Sequence, residues 1–130
     1  MYLLDTDWAI DLLKGKRVPT GITSSLMERR VSISRITVAE LYDGAFFTPN
    51  PDAALAQVRS FLTAYRILEI TDGIAATFGE LRSSLRRRGA LIQDFDLLIA
   101  TTALYHDLTL LTFNRRHFER VPGLRIHQAD

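Results

Sequence analysis

Short apolar runs alternate with longer amphipathic stretches along this chain, and the alternation predicts its elements. "YLLD" at Tyr2 to Asp5 reads as a buried strand, and "TDWAIDLLKG" after it reads as a helix closed by Gly15. Beyond the turn-rich "KGKRVPTG" comes a second helical stretch near Ile22 to Arg30, then "VSIS", a β-branched run with the character of a second strand. "TVAELYDGAFF" sets Val38, Leu41 and Ala45 at helical spacing, and "PDAALAQVRSFLTAY" begins with proline where a helix tolerates it. "RILEI" is a third strand. "TDGIAATFGELRSSLRRRG" opens on a Thr or Asp cap and ends in arginines and Gly89, so both helix ends are marked. "LTLLT" is a fourth strand, and "LRIH" after Pro122 and Gly123 is a fifth, shorter one.

One helix stands apart from the rest. From Asp94 the pattern runs Leu97, Leu98, Ile99, Ala100, Ala103, Leu104, apolar nearly all round, which marks a helix covered on most sides. Yet Asp94 and Asp96 open it, and an unpaired buried carboxylate is costly. A helix N-terminus stabilises one such acid through its free N–H groups and partial positive charge, which accounts for Asp94 or Asp96 as a cap. Thr6 has the same capping chemistry for the first helix.

The strand-helix rhythm predicts a parallel α/β sheet. At 130 residues the chain fits one domain over 1–130, with no repeat, low-complexity tract or linker. Hydrophobic residues at 47% and charged residues at 24% suit a compact fold. The absence of cysteine excludes disulfides and thiolate metal sites, and fits a reducing compartment, the cytoplasm. The apolar start carries Asp5, Asp7 and Asp11 and no basic n-region, so it reads neither as a signal peptide nor as a membrane span.

The net charge is only +1, but of the 16 basic residues all except Lys14 and Lys16 are arginine. They cluster in "RSSLRRRG" and "NRRHFER". A guanidinium fork suits phosphate, although "SLRRRG" also serves as a solvated helix end that complements the dipole. Arg115 and Arg116 are the better candidates for nucleic-acid contact.

In parallel α/β sheets, functional groups gather where strand carboxyl ends turn into helices. Asp5 ends the first strand, Glu40 lies on the helix after the second, Asp96 opens the apolar helix and Asn114 follows the fourth strand. Taken singly, Asp5 is a strand terminator or a cap as readily as a functional acid, and Asp94 is equally a cap. Taken together, carboxylates repel unless a cation joins them. Oxygen donors of this kind suit Mg²⁺ or Mn²⁺, and the natural reaction at such a site is phosphodiester hydrolysis. Trp8, Phe46, Phe47 and Phe61 read as core or interface, and His106, His117 and His127 lack metal-ligand spacing and read as structural.

The segments "YLLDTD", "ITVAELYDGA" and "DFDLLIATTALYHDLTLLTFNRRHFERVPGLRI" carry a family likeness over essentially the whole chain: it resembles the PIN-domain ribonuclease toxins of the VapC type. The resemblance implies a three-layer α/β/α sandwich with a central, mainly parallel sheet of four to five strands. It also implies a Mg²⁺- or Mn²⁺-dependent endoribonuclease in which Asp5 and Asp96 hold the ion, Glu40 is the third acid and Asp94 an auxiliary one. Where the family often has Asn after "DT" this chain has Asp7, and where it often has a fourth acid it has Asn114, which favours one ion over two. A VapB-type antitoxin, a homodimer, a toxin–antitoxin hetero-oligomer and DNA contact only through the antitoxin are implied as well. The rival enzyme classes, haloacid-dehalogenase phosphatases and receiver domains, need a late lysine that is absent here. A catalytically silent PIN-fold binding module is the remaining alternative.

Overall fold

The computed structural model describes residues 1–15 and 30–127. The apolar runs form β1 (Tyr2–Leu4), β2 (Val31–Ser34), β3 (Arg66–Leu68) and β4 (Thr109–Leu111), and the amphipathic stretches form α1 (Thr6–Leu13), α2 (Arg35–Phe46), α3 (Pro51–Leu62), α4 (Asp72–Arg87), α5 (Asp94–Tyr105) and α6 (Arg115–Phe118). The four strands pair in parallel in the order β3-β2-β1-β4.

Local chemistry sets the helix boundaries. Ser34, Asn50 and Thr71 each accept a backbone N–H with the side chain, from Ile36, Ala53 and Ile74, and so cap α2, α3 and α4. Gly15 and Gly89, at φ +71° and +64°, take the left-handed conformation that stops α1 and α4.

Successive strand residues point to opposite faces, which builds the layers. Leu4, Val31, Ile33 and Leu111 join Trp8, Val38, Leu41 and Val58 under α1, α2 and α3. Leu3, Leu68 and Leu110 join Leu85, Leu97, Ile99, Ala103 and Phe118 under α4, α5 and α6. The result is the expected α/β/α sandwich. Helix α5 buries Leu97, Ile99, Ala100, Thr101, Thr102 and Ala103. Its two threonines return their hydroxyls to the carbonyls of Leu97 and Leu98, at 2.6 and 2.8 Å, so no polar group there is left without a partner.

Three expectations change. Among the described residues the fifth strand shrinks to a single parallel bridge between Leu110 and Ile126, made by the Leu110 N–H to the Arg125 carbonyl and the His127 N–H to the Leu110 carbonyl. The cap of α5 is Gln93, so Asp94 and Asp96 lie inside the first turn. The cap of α1 is Asp5, whose carboxylate takes the Thr6 N–H, and not Thr6. The predicted helix near Ile22 to Arg30 falls almost wholly outside the described residues.

The strand order also locates a crevice. From β1 the chain steps outward to β2 and β3, and α5 then carries it back to β4 on the other side of β1. The direction reverses between β1 and β4, and in open parallel sheets the crevice at the carboxyl end of that reversal is where ligands bind. The segments after β1 and β4 therefore share one edge.

Because α5 is fully enclosed at Ile99, truncation there leaves a cavity. Ile99→Ala is expected to lower unfolding stability by about 2–5 kcal/mol in urea titrations. A loss under about 1 kcal/mol would show that this face collapses freely.

Candidate active site

Asp5 follows β1 and is 5% exposed. Its backbone N–H donates to the carbonyl of Leu111 at 2.9 Å, which joins it to β4. Its two carboxylate oxygens are divided between partners: Oδ1 accepts the Thr6 N–H at 2.8 Å and Oδ2 accepts the Thr112 hydroxyl at 2.7 Å. Thr112 Oγ1 in turn accepts the Asn114 N–H at 2.9 Å, so one hydroxyl links Asp5 to the loop that carries Asn114. Burial pushes the Asp5 carboxyl up to about 7; the charge of Asp7 adds to this, the Thr112 and Thr6 bonds oppose it, and Asp96 adds a further small push.

Asp7 lies beside it and serves as a clamp. Oδ1 accepts the Trp8 N–H at 2.7 Å and Oδ2 accepts the Phe113 N–H at 3.1 Å, so one side chain holds the start of α1 against the loop after β4. A carboxylate accepts at both oxygens, whereas an asparagine amide offers one acceptor only. Burial raises the Asp7 carboxyl as well, against the two backbone bonds.

Glu40 reaches the same edge from α2. Its Oε1 accepts the Thr6 hydroxyl at 2.6 Å, and Thr6 Oγ1 also lies 3.0 Å from the Thr37 hydroxyl. A single residue, Thr6, thus touches both the Asp5 carboxylate, through its N–H, and Glu40, through its hydroxyl.

Asp96 comes from the first turn of α5, and its side chain is 21% exposed. Burial raises its carboxyl, and the neighbouring His117 opposes the rise. His117 Nδ1 lies 3.1 Å from Asp96 Oδ2 and 3.0 Å from the Asn114 side-chain nitrogen. A ring nitrogen bonds one way at a time, donating to Asp96 when it carries the proton and accepting from Asn114 when it does not. Asp94 points elsewhere, to Arg82 of α4 at 2.7 Å. The acids that open α5 therefore divide, one toward the crevice and one toward a neighbouring helix.

The arginines divide similarly. Arg115 is tied to Glu119 at 3.0 Å, and its buried Nη1 has no partner among the described residues. Arg116 is exposed on α6. The Thr112 hydroxyl, His117 and the bridging Asp7 were not anticipated as site residues. The one signal for Thr112 was a hydroxyl closing the apolar run "LTLLT".

Among the described residues no three acid or histidine side chains gather closely enough to hold an ion by themselves. A Mg²⁺ ion asks for less, since it takes one or two carboxylates and fills its octahedron with water and phosphate oxygens. Asp5 and Asp96, both raised by burial, fit that donor set. Glu40 stands one hydroxyl away.

A parallel α/β/α sandwich with carboxylates at the reversal of its sheet defines the class of fold and site. The PIN domain model matches residues 2–124. The ribonuclease VapC2 of Haemophilus influenzae is 38% identical over 95% of this chain and 94% of its own. The tRNA(fMet)-specific endonuclease VapC of Salmonella typhimurium is 34% identical over 96% and 95%. Among solved structures, the DNA-bound VapBC from Salmonella typhimurium superposes with a TM-score of 0.87 at 34% identity, covering 97% of this chain and 96% of that one. The chain belongs to the PIN-domain family, in its VapC branch.

The raised Asp5 carboxyl has a stability consequence with a definite sign. Unfolded, it releases its proton near 3.8; folded, near 7. Between those values the folded chain holds the proton and the unfolded chain does not, so stability falls as pH rises through this window, and the cost is complete above it. In EDTA, Asp5→Asn is therefore expected to melt higher than the natural protein at about pH 8, with the gap closing toward about pH 4. A gap that widens on acidification would reverse the assignment.

Proposed function

We propose that the protein is a metal-dependent endoribonuclease, the toxin of a toxin–antitoxin pair, that hydrolyses phosphodiester bonds in RNA. The observation that carries this reading is a buried Asp5 at the sheet reversal of a VapC-branch PIN domain, with the charge of Asp96 acting on its carboxyl.

In this reading Asp5 and Asp96 hold Mg²⁺ or Mn²⁺. When bound, the ion supplies Lewis-acid stabilisation of charge on the phosphate and the leaving oxygen. Thr112 and the Thr6 N–H fix both oxygens of Asp5, so the ligand is oriented before anything binds. His117 holds one oxygen of Asp96, Oδ2, at 3.1 Å. Glu40, held by the Thr6 hydroxyl, orients the attacking water and takes its proton. The water oxygen bonds to phosphorus, the bond to the leaving ribose oxygen breaks, and that oxygen takes a proton. Asn114 keeps the pocket one charge lower than a fourth acid would, which suits a single ion. Asp94, paired with Arg82 of α4, takes no part in holding the ion. Arg116, with Arg115 behind it, meets the phosphate chain.

A VapB-type antitoxin is the partner, as the VapBC assembly of the Salmonella relative supports. The toxin forms a homodimer, the hetero-oligomer meets DNA through the antitoxin, and the pair acts in the cytoplasm. No helix among the described residues is long and apolar enough to cross a membrane. A second reading, a silent PIN-fold binding module, draws on the lack of a preformed trio of ligands among the described residues, and the cleavage assay separates the two.

The test is a cleavage assay on a tRNA pool, a natural first substrate because one relative is named for tRNA(fMet). The expected result is cutting with Mg²⁺ or Mn²⁺, none with EDTA, and none from Asp96→Asn at unchanged circular dichroism. Full activity in Asp96→Asn would remove Asp96 from the site. Arg116→Ala is expected to weaken RNA binding and lower the slope of log K against log salt by about one phosphate contact. Arg115→Ala should do less, because Glu119 already shares its charge. Equal, unchanged slopes would return both arginines to the solvated surface.

A further inference from the structure

The carboxylate of Asp7 bonds both backbone N–H groups of an aromatic pair, Trp8 and Phe113. Their rings stack with centroids 5.1 Å apart and planes within 17°. Trp8 is 1% exposed and Phe113 48%, so Trp8 covers the inner face of the phenyl ring and the outer face is open to solvent. The ring's place is fixed by its neighbours. The residue before it, Thr112, bonds Asp5, and the residue after it, Asn114, touches the His117 that faces Asp96.

A large apolar ring stands open on the loop that bonds Asp5. Single exposed aromatics need no explanation, but this one is immobilised from three directions: a buried ring beneath it, a carboxylate on its N–H, and a loop tied to the pocket through Thr112. Phe95, 53% exposed, sits between Asp94 and Asp96 on the first turn of α5, so a second open ring is carried by the turn that supplies Asp96.

We propose that Phe113, backed by Trp8 and clamped by Asp7, is a preformed stacking platform for an unpaired base next to the scissile phosphate. The proposal deepens the ribonuclease reading and rests on it: whatever phosphate reaches Asp5 and Asp96 brings its adjacent base over the loop of Phe113. Bases in an RNA duplex keep their faces occupied, whereas unpaired ones are free to stack on aromatic side chains. The enzyme therefore selects loops and single strands over helices, with the platform supplying affinity that is largely indifferent to base identity. Asp7 is a positioning residue, since it acts through the backbone of the ring it holds. Asp7→Asn keeps one acceptor of two and loosens Phe113 without removing it.

The experiment measures binding of fluorescein-labelled oligoadenylate, and of an abasic ribose-phosphate chain of equal length, in EDTA, where no cleavage is needed. The natural protein is expected to prefer oligoadenylate by about 5- to 100-fold, the range of one base stacked on an aromatic side chain. Phe113→Leu, which keeps an apolar cover over Trp8, should erase most of that ratio. Phe113→Tyr should keep it, and Phe47→Leu, at the far end of α2, should leave it alone. A natural protein that binds both chains equally, or a ratio that survives Phe113→Leu, overturns the platform, whatever that substitution does to antitoxin binding. Failure of the ribonuclease reading shows separately, as a protein that cuts no RNA with any metal yet retains the base-dependent ratio. The natural protein's own ratio keeps the proposal falsifiable should Phe113→Leu not fold.

Discussion

A carboxylate buried at the end of a central strand cannot remain ionised without help, and the arrangement around Asp5 follows from that constraint. Each of its oxygens has one hydrogen bond, from the Thr6 N–H and from the Thr112 hydroxyl. Those bonds do not overcome the burial and the nearby charge of Asp7, so the carboxyl sits at about 7. A site built this way is incomplete by its own electrostatics. Asp5 caps α1 through the Thr6 N–H, and that bond leaves a need that a cation would meet.

The fold puts Asp5 where the need can be met. Its strand is interior to the sheet, flanked by β2 and β4, and the reversal between β1 and β4 brings the loop of Thr112, Phe113 and Asn114 alongside. Helix α5, enclosed on most sides, delivers Asp96 from its first turn with little freedom to move away. Helix α2 delivers Glu40 through the hydroxyl of Thr6. Three distant segments thus meet at one edge because the sheet order requires them to, and α6 brings His117 to Asp96 from a fourth.

Much of this was legible from residue pattern. Strand and helix identities followed from the switch between apolar runs and helical spacing, since both faces of the sheet are covered and each strand reads as continuously apolar. Asp5, Glu40 and Asp96 stood out together, because each acid alone has a structural explanation but several gathered at one sheet edge repel unless a cation joins them. What pattern could not show was side-chain direction. Asp94 and Asp96, two apart on a helix, face different neighbours, and only one of them has Arg82 to meet it. His117 lacks any metal-ligand spacing, yet α6 turns it onto Asp96. Asp7 reads as one more negative charge in sequence, while in the fold it accepts two N–H groups and closes a loop. "LRIH" has strand composition but forms a single bridge, to β4, among the described residues.

Direct Mn²⁺ titration with electron paramagnetic resonance detection tests, without reference to any RNA, whether Asp5 and Asp96 form a site completed by a divalent cation. The expected result is saturable binding of Mn²⁺ to the natural protein, displaced by Mg²⁺, accompanied by a higher melting temperature, and abolished in the Asp5→Asn, Asp96→Asn double variant. Binding that persists in the double variant, or a natural protein that neither binds Mn²⁺ nor gains stability from it, would remove the cation from these two acids.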